Sequence, residues 1–236
     1  MRQFFVRLIL LVLVVLLIFG LYRLLTIRPL GNVAFFTNQP RLAAVHLPPV
    51  DAAQAAGANG LILPVTLMED GVLVVTDAPT RRTLAEVLAQ YATLRAVVRT
   101  EDPSLQVVAA LLQAIDTAQA RDRVLVEVDD ALLARTLRQQ APNLATISTR
   151  AETNAFLTMQ RLRLTPFYRP SAPGMLLPAA DVTPRLLHAA HSRGIHVIAL
   201  ADGSDVTAVQ ALLDAGVDGV ALSDTAQLSA LDWPGN

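Results

Sequence analysis

An α/β architecture is the fold class that the sequence predicts from Leu42 onward, and two observations lead to it. Apolar runs rich in valine, isoleucine and leucine alternate with longer stretches whose apolar residues recur at helical spacing. Start and stop signals mark the ends of several helical stretches. Strands that alternate with helices pair in parallel through right-handed crossovers. Eight such strands predict a (β/α)8 TIM barrel.

The predicted strands are apolar runs of four to six residues. They cover residues 42–47, 60–65, 94–99, 123–128, 145–149, 165–168, 195–200 and 218–223. The sixth strand has an alternative position at residues 175–177. After the second strand, Glu69-Asp70-Gly71 predicts a tight turn into a further strand, because Asp-Gly suits a primed hairpin turn.

Capping residues fix several helix ends. Thr83 and Glu86 match a capping box, in which the hydroxyl and the carboxylate each bond to the other residue's backbone N–H. Other helix starts carry a capping residue before a proline, and helix ends carry a glycine in the left-handed conformation. These signals occur at Asp102-Pro103, Thr183-Pro184, Gly194 and Gly216.

The strongest single signal is an apolar segment that runs from Phe4 to Ile27. Its uncharged part, Leu8 to Tyr22, would measure roughly 22 Å as a helix, against a hydrocarbon core of about 30 Å. The whole segment reaches roughly 36 Å if the flanking arginines extend towards the interfaces. We therefore predict that residues 1–28 form a transmembrane anchor, so that the protein is a single-pass membrane protein with the lipid bilayer as a partner.

A cleaved signal peptide is the alternative interpretation of this segment. It requires a small-x-small cleavage site, whereas YRLLTIRPLGNV places bulky residues there. Two arginines flank each end of the segment, so the positive-inside rule assigns no orientation. Residues 29–41 contain proline, glycine and asparagine and are predicted to form a short tether to the barrel, residues 42–236.

Charge and composition exclude several function classes. The formal net charge is −1 and there is no basic block, so no nucleic-acid partner is expected. The chain has no cysteine, which excludes disulfide bonds, thiolate catalysis and cysteine-ligated zinc. A phosphate-binding glycine-rich loop, a serine nucleophile elbow and an HExxH motif are also missing from the sequence.

Several stretches resemble the glycerophosphodiester phosphodiesterases, metal-dependent barrels that hydrolyse glycerophosphodiesters to an alcohol and glycerol phosphate. AAVHL resembles the A-H-R-G motif that ends their first strand, and GANGLILPVTLMEDGVLVVTDAP resembles their G-A-D-x-x-E-x-D-V segment. TLAEVLAQYATLRAVVRTEDPS resembles the helix that leads into their E-x-K strand. The last two βα units are the most similar part, and DGVLVV and GVDGVALSD are the most specific pieces.

The resemblance also indicates which catalytic positions of the family are replaced. His46 matches the first histidine, a proposed acid/base, but Leu47 and Pro48 replace the arginine and glycine that follow it. The two acids of the E-x-D metal-binding motif correspond to Ile62 and Pro64.

Three further family positions are altered as well. The second histidine corresponds to Thr76 or Asp77, the third carboxylate ligand to Arg99, and a late tryptophan to Ile198. A hard cation such as Mg²⁺ or Ca²⁺ needs several oxygen ligands, mostly carboxylates, and without it the charge on the phosphoryl oxygens lacks its main stabilisation. The sequence therefore predicts a pseudoenzyme that needs no cofactor.

Arg99 has two interpretations. An arginine at the mouth of a barrel is costly unless it meets an anion or a carboxylate. The favoured partner is one of the acids Glu101, Asp77 or Glu127. The functional hypothesis is that Arg99 and His46 hold a phosphate-bearing lipid headgroup, because a guanidinium suits bidentate recognition of oxygens.

The remaining histidines are expected to be structural. His188 and His191 are three residues apart on one helix, but no carboxylate cluster accompanies them, so surface or packing roles are favoured over a metal site. His196 begins a strand. Asp224 is expected to cap the final helix.

Three functions remain in competition. The first is a membrane-anchored, non-catalytic binding or assembly module. The second is an active phosphoric diester hydrolase of lipid metabolism, in which Mg²⁺ or Ca²⁺ is held by relocated ligands such as Asp77, Glu69, Glu101 and Glu127. Glu127 and Asp129 alternate with apolar neighbours and would point the same way. The third is a structural partner of another membrane protein, using an alanine-rich helix.

Overall fold

The structure, a computed structural model, describes most of the barrel. The described residues are 29–31, 33–37, 41–46, 57–76, 81–201, 205–223, 228, 230 and 231, together with nine residues between Arg7 and Tyr22. The side chain of His46 lies outside this set.

A parallel barrel forms the centre of the described chain. Its strands follow one another around the barrel in the order β7-β6-β5-β2-β1-β10-β9-β8, and β3 and β4 extend β2 as an antiparallel hairpin. The strands are β1 (Leu42–His46), β2 (Gly60–Leu67), β3 (Leu73–Val75), β4 (Arg82–Thr83), β5 (Arg95–Thr100), β6 (Val124–Val128), β7 (Ala145–Thr146), β8 (Gly174–Pro178), β9 (His196–Leu200) and β10 (Gly219–Leu222).

The two ends of this sheet meet at one point. Ile147 and Gly174 form an isolated parallel bridge, and the Ser148 N–H donates to the Gly174 carbonyl at 2.7 Å. The predicted α/β TIM barrel is thereby confirmed in its parallel eight-strand arrangement. Because β7 is only two residues long, the seam between β7 and β8 is paired only near the start of β8.

Helices connect the strands and cover the outside of the sheet. They are α1 (Leu84–Gln90), α2 (Gln106–Thr117), α3 (Ala131–Gln140), α4 (Arg150–Arg161), α5 (Pro184–His191) and α6 (Val206–Ala215). Their apolar faces pack against the outward-facing residues of the strands, for example Leu111 and Ile115 of α2 in the same buried cluster as Val98 and Val126. Burial of this apolar area is the main favourable term in folding.

Several predicted helix ends are confirmed. Thr83 and Glu86 form the capping box, with N–H···O distances of 3.2 and 2.9 Å, and Gly216 ends α6 in the left-handed conformation at φ +95°. The Asp102-Pro103 start is wrong, because α2 begins at Gln106. Asp102 instead accepts a bond from the Ser104 N–H at 2.8 Å, since an aspartate carboxylate can bond to the backbone two residues on.

For the sixth strand, the first of the two predicted locations, residues 165–168, is also wrong. Residues Thr165–Phe167 form a 3₁₀ turn, and the alternative position is the correct one, because β8 spans Gly174–Pro178. Pro166 has no N–H to donate to a strand ladder, which explains why this apolar stretch turns instead of pairing.

The barrel interior is filled by apolar side chains from successive strands. They form one buried cluster that includes Leu42, Ile62, Val97, Leu125 and Ile198. Gly219 is required beside Leu42, because a Cβ atom there would lie 2.7 Å from the Leu42 Cβ and 3.0 Å from the Leu42 carbonyl oxygen.

The N-terminal end of the barrel is closed by residues that precede β1. Phe35 is fully buried in the interior cluster, and the Arg95 guanidinium lies 5.4 Å from its ring centroid. Phe36 stacks on His196 with ring centroids 4.1 Å apart. Arg95 and His196 each begin a strand, so these contacts mark the N-terminal face of the barrel. Burial lowers the pKa of Arg95 to about 10, so it remains charged at neutral pH.

Asp218 joins two histidines on the same face. Its carboxylate lies 2.8 Å from His191 Nε2 and 2.8 Å from His196 Nδ1, and it accepts the Val197 N–H at 2.8 Å. Burial opposes ionisation of Asp218, but these hydrogen bonds outweigh it and hold its pKa well below the usual range. Its bond in turn raises the pKa of His191. The structural role expected for His196 is confirmed, and His191 shares it.

Part of the predicted anchor is visible as a helix. Between Arg7 and Tyr22 the described residues are helical, and Leu10, Leu11 and Ile18 are exposed. The rest of the segment, and Asp224, lie outside the described residues. Within the residues that are described, no helix combines the length and the apolar composition needed to cross a bilayer.

The His191–Asp218 pair predicts a pH-dependent contribution to stability. Because the folded state raises the pKa of His191, the stabilisation is complete below the ordinary value of about 6.5 and is lost as the pH rises through the raised value. We expect His191→Gln to reduce the free energy of unfolding more at about pH 5.5 than at about pH 9. Urea denaturation at the two pH values measures the difference.

His188→Gln is the matched control, since His188 is exposed on the same helix. It should change stability equally at both pH values. If His191→Gln behaved like this control, the ion pair would make no contribution.

Candidate functional site

The mouth of the barrel, at the C-terminal ends of its strands, holds a cavity of about 700 Å³. Its wall comes from the ends of β5, β6, β8 and β9 and from one face of α4. Parallel barrels place their sites at this end, because the connecting loops and helix N-termini converge there. The cavity is therefore the candidate site.

An ion pair between neighbouring strands lies in the cavity wall. The register sets Arg99 of β5 beside Pro64 of β2 on one side and Glu127 of β6 on the other. Arg99 Nε donates to Glu127 Oε2 at 2.8 Å, and the two side chains are 28% and 23% exposed. The favoured interpretation of Arg99 as one half of a salt bridge is confirmed, with Glu127 as the partner.

The positions that the resemblance assigns to the metal-binding acids carry no oxygen ligands on their side chains. Ile62 is 2% exposed and belongs to the interior cluster with Val97 and Leu125. Pro64 follows it on the same strand. A Mg²⁺ or Ca²⁺ ion needs several oxygen ligands at about 2.0–2.6 Å. These two side chains and the guanidinium of Arg99 therefore do not fit a divalent cation.

Two further predicted site residues are His46, of which only the backbone is described, and Asp77. The backbone of His46 ends β1 opposite Ile62, which places this residue at the mouth. Asp77 lies outside the described residues. Thr76, the other candidate for the second histidine position, closes the hairpin with an N–H bond to the Pro64 carbonyl at 3.0 Å.

The acids around the rim are engaged in local structure. Asp129 accepts the Arg150 N–H at 2.8 Å, and Asp130 caps α3 by accepting the Leu132 and Leu133 N–H groups, each at 2.8 Å. Glu127 and Asp129 both line the cavity but bind different arginines. In the part of the chain that the structure describes, no group of three histidine or acidic side chains is placed to hold a metal ion.

The contribution of α4 to the cavity wall was not predicted. Arg150, Thr153, Asn154 and Leu157 line the cavity and share one helix face at i, i+3, i+4 and i+7 spacing. That spacing is visible in the sequence. What the sequence does not reveal is that this face of the helix lies against the mouth.

A partly buried ion pair connects α4 to the preceding helix. The Arg138 guanidinium on α3 binds the Glu152 carboxylate through two bonds of 2.6 and 3.0 Å. Burial would raise the pKa of Glu152, but bonds from Arg138, Ser171 and the Thr149 N–H outweigh it and lower the pKa. The geometry is bidentate, which makes it specific as well as strong.

Comparisons with known proteins identify the fold. No protein-family model and no curated protein matches the sequence. A glycerophosphodiester phosphodiesterase from Agrobacterium tumefaciens strain C58 is 13% identical, with a TM-score of 0.65 over 80% of this chain and 98% of its own. The glycerophosphoryl diester phosphodiesterase domain of an uncharacterized protein from Mycobacterium tuberculosis is 15% identical, with a TM-score of 0.64 over 81% of this chain and 98% of its own.

A third structure carries a ligand. The phosphodiesterase of Oleispira antarctica, solved with its product sn-glycerol-3-phosphate, is 14% identical, with a TM-score of 0.63 over 84% of this chain and 98% of its own. Identities this low show the fold alone. The chain therefore has the fold of the glycerophosphodiester phosphodiesterases, as its sequence motifs predicted.

Proposed function

We propose that the protein is a membrane-attached glycerophosphodiester phosphodiesterase-like barrel that binds a phosphate-bearing ligand at its mouth without hydrolysing it. The observation that carries this proposal is the Arg99–Glu127 ion pair. It stands where the resemblance places a metal-binding carboxylate, beside Pro64 on a strand whose other family metal position is the apolar Ile62. The site thus carries the guanidinium of Arg99, a cation that is part of the chain, in place of an exchangeable metal ion.

The loss of hydrolysis follows from charge stabilisation. In a metal-dependent phosphodiesterase the ion polarises the phosphoryl oxygen and lowers the pKa of the attacking water. A guanidinium can stabilise charge on a phosphate but supplies no such nucleophile. General acid/base catalysis by a single histidine contributes only about 10²–10⁴-fold. These residues support binding better than turnover.

Arg99 retains donors for a ligand. Its bond to Glu127 uses Nε, and this is the bond that the structure records for the pair. The two terminal nitrogens carry four further N–H donors in a planar fork, which matches two oxygens of a phosphate. Glu127 then orients the guanidinium, while His46 at the end of β1 is the proposed second contact.

Membrane attachment is the other part of the proposal. It is supported by the apolar composition of the segment from Phe4 to Ile27 and by the exposure of its described leucine and valine side chains. An exposed apolar helix of this kind requires a bilayer or a partner to cover it.

A working hydrolase is the second candidate, and the acidic rim favours it. Six acids line the cavity together: Glu101, Asp102, Glu127, Asp129, Asp130 and Asp181. Relocated ligands would have to be drawn from this set, from Glu69, which does not line the cavity, and from Asp77, which lies outside the described residues. The engagement of Asp102, Glu127 and Asp129 in local bonds argues against it.

Activity separates these two candidates. We expect the full chain in detergent to release no glycerol 3-phosphate from glycerophosphocholine, with Mg²⁺ or Ca²⁺ or after EDTA treatment, because the residues at the family's metal positions offer no carboxylate. An enzymatic assay for glycerol 3-phosphate measures this, with an active member of the fold as the positive control. Turnover that EDTA abolishes, and that Glu127→Gln reduces, would reinstate the hydrolase.

The phosphate contact is tested separately. We expect Arg99→Ala to weaken binding of glycerol 3-phosphate by about 10- to 100-fold, as removal of one charge-assisted hydrogen-bond donor pair costs roughly 1.5–3 kcal/mol. Calorimetric titration measures the affinity. Arg150→Ala is the matched control, since Arg150 lies at the same cavity with an 83% exposed side chain, and it should change affinity by less than about threefold. Equal affinities for Arg99→Ala and the unmodified chain would reject Arg99 as the contact.

A further inference from the structure

We propose that residues 33–37, here called the plug, hold the N-terminal face of the barrel towards the membrane and turn the mouth to the aqueous phase. The mouth then takes a water-soluble phosphate-bearing ligand rather than a headgroup of the bilayer to which the protein is attached. This inference rests on the membrane attachment proposed above, but it does not depend on whether the site hydrolyses its ligand.

The plug is an integral part of the barrel. Phe35 is fully buried at the N-terminal end of the interior, and its carbonyl accepts a bond from Arg95 Nη1 at 3.5 Å. Phe36 lies between Phe35, at an edge-to-face centroid distance of 4.9 Å, and the ring of His196. Burial of the Phe35 ring and the aromatic contacts of Phe36 stabilise this arrangement. The predicted tether is thus a packed element over this part of its length.

The chain before the plug is held to the same face. The Leu30 N–H donates to the Arg193 carbonyl at 3.1 Å, in the turn between α5 and β9. Gly194 has a φ of +71°, and a Cβ atom there would lie 2.6 Å from the Leu30 carbonyl oxygen. The close approach of these two backbones fixes the path of the chain from Leu30 onward.

The distance from the apolar segment to this anchoring point is short. Six residues separate Tyr22 from Pro29, so the chain between them spans at most about 25 Å when fully extended. The N-terminal face is therefore held within about 25 Å of the apolar segment, and we infer that it is the face turned towards the bilayer. Because all the barrel strands are parallel, their C-terminal ends and the cavity lie on the opposite face.

Charge and size agree with a soluble ligand. The cavity of about 700 Å³ is lined by two arginines and by six acids, Glu101, Asp102, Glu127, Asp129, Asp130 and Asp181. The described lining contains no basic cluster of the kind that binds an anionic membrane surface. A small zwitterionic or polyhydroxyl phosphodiester can place its phosphate at Arg99 while its other groups meet the acids.

The orientation can be measured because the chain has no cysteine. Asp122→Cys and Leu132→Cys place a fluorophore at exposed positions before and after β6, on the two faces of the barrel. The five residues of β6 separate these positions by roughly 17 Å. The labelled full chain is placed in lipid nanodiscs that contain a headgroup-attached nitroxide quencher.

We expect the Asp122→Cys label to be quenched at least twofold more strongly than the Leu132→Cys label. Phe36→Ala should reduce that difference, because it removes the stack on His196, whereas Phe167→Ala, at an exposed phenylalanine elsewhere, should leave it unchanged. Equal quenching of the two labels, stronger quenching at Leu132→Cys, or failure of the chain to enter the nanodiscs would overturn the proposal.

A binding arm distinguishes the two sources of phosphate. Glycerol 3-phosphate is titrated into the chain in phosphatidylcholine discs and in discs that contain phosphatidylglycerol. The same affinity in both is expected, since bilayer headgroups do not reach the mouth. A lower affinity in the phosphatidylglycerol discs that persists at high salt, where repulsion between the disc surface and the ligand is screened, would show that a headgroup competes for the site and would also overturn the proposal.

Discussion

The parallel register that sets Arg99 between Pro64 and Glu127 is the constraint on which the chemistry of this barrel depends. A charged side chain inside a barrel is tolerated when it is paired, and here the partner is on the neighbouring strand at 2.8 Å. The pair is partly exposed, so it contributes little to stability and acts mainly by fixing the position of the Arg99 guanidinium. It keeps a guanidinium fork pointing at the cavity and neutralises the acid that lies nearest to it.

The two ends of the barrel have different physical characters. The N-terminal end is closed by aromatic packing and by Asp218, which holds two histidines and a backbone N–H. The C-terminal end is open, polar and acidic at its rim. Stability is therefore concentrated at one end and ligand access at the other, as is usual for this fold. In the described chain, the segment that leads from the N-terminus is built into the closed end.

The sequence predicted the fold well because its signals were local. Capping residues, glycines and short apolar runs marked most strands, and the alternative for the sixth strand was correct once Pro166 was excluded from a ladder. The residues of the site could be predicted from the sequence only in part. Arg99 was recognised, but the choice of Glu127 among its possible partners depends on strand register, which the sequence does not give. The wall formed by Arg150 and Leu157 depends on how α4 packs against the barrel, which no local signal sets.

A direct measurement of divalent-ion binding tests the central claim that a fixed cation has replaced an exchangeable one. Mg²⁺, Ca²⁺ and Mn²⁺ are titrated calorimetrically into the full chain and into Glu127→Gln, which removes the charge of the acid nearest to Arg99. We expect the unmodified chain to show no saturable site that Glu127→Gln removes. A single saturable site that disappears in Glu127→Gln would contradict it and would place a metal ion at the mouth.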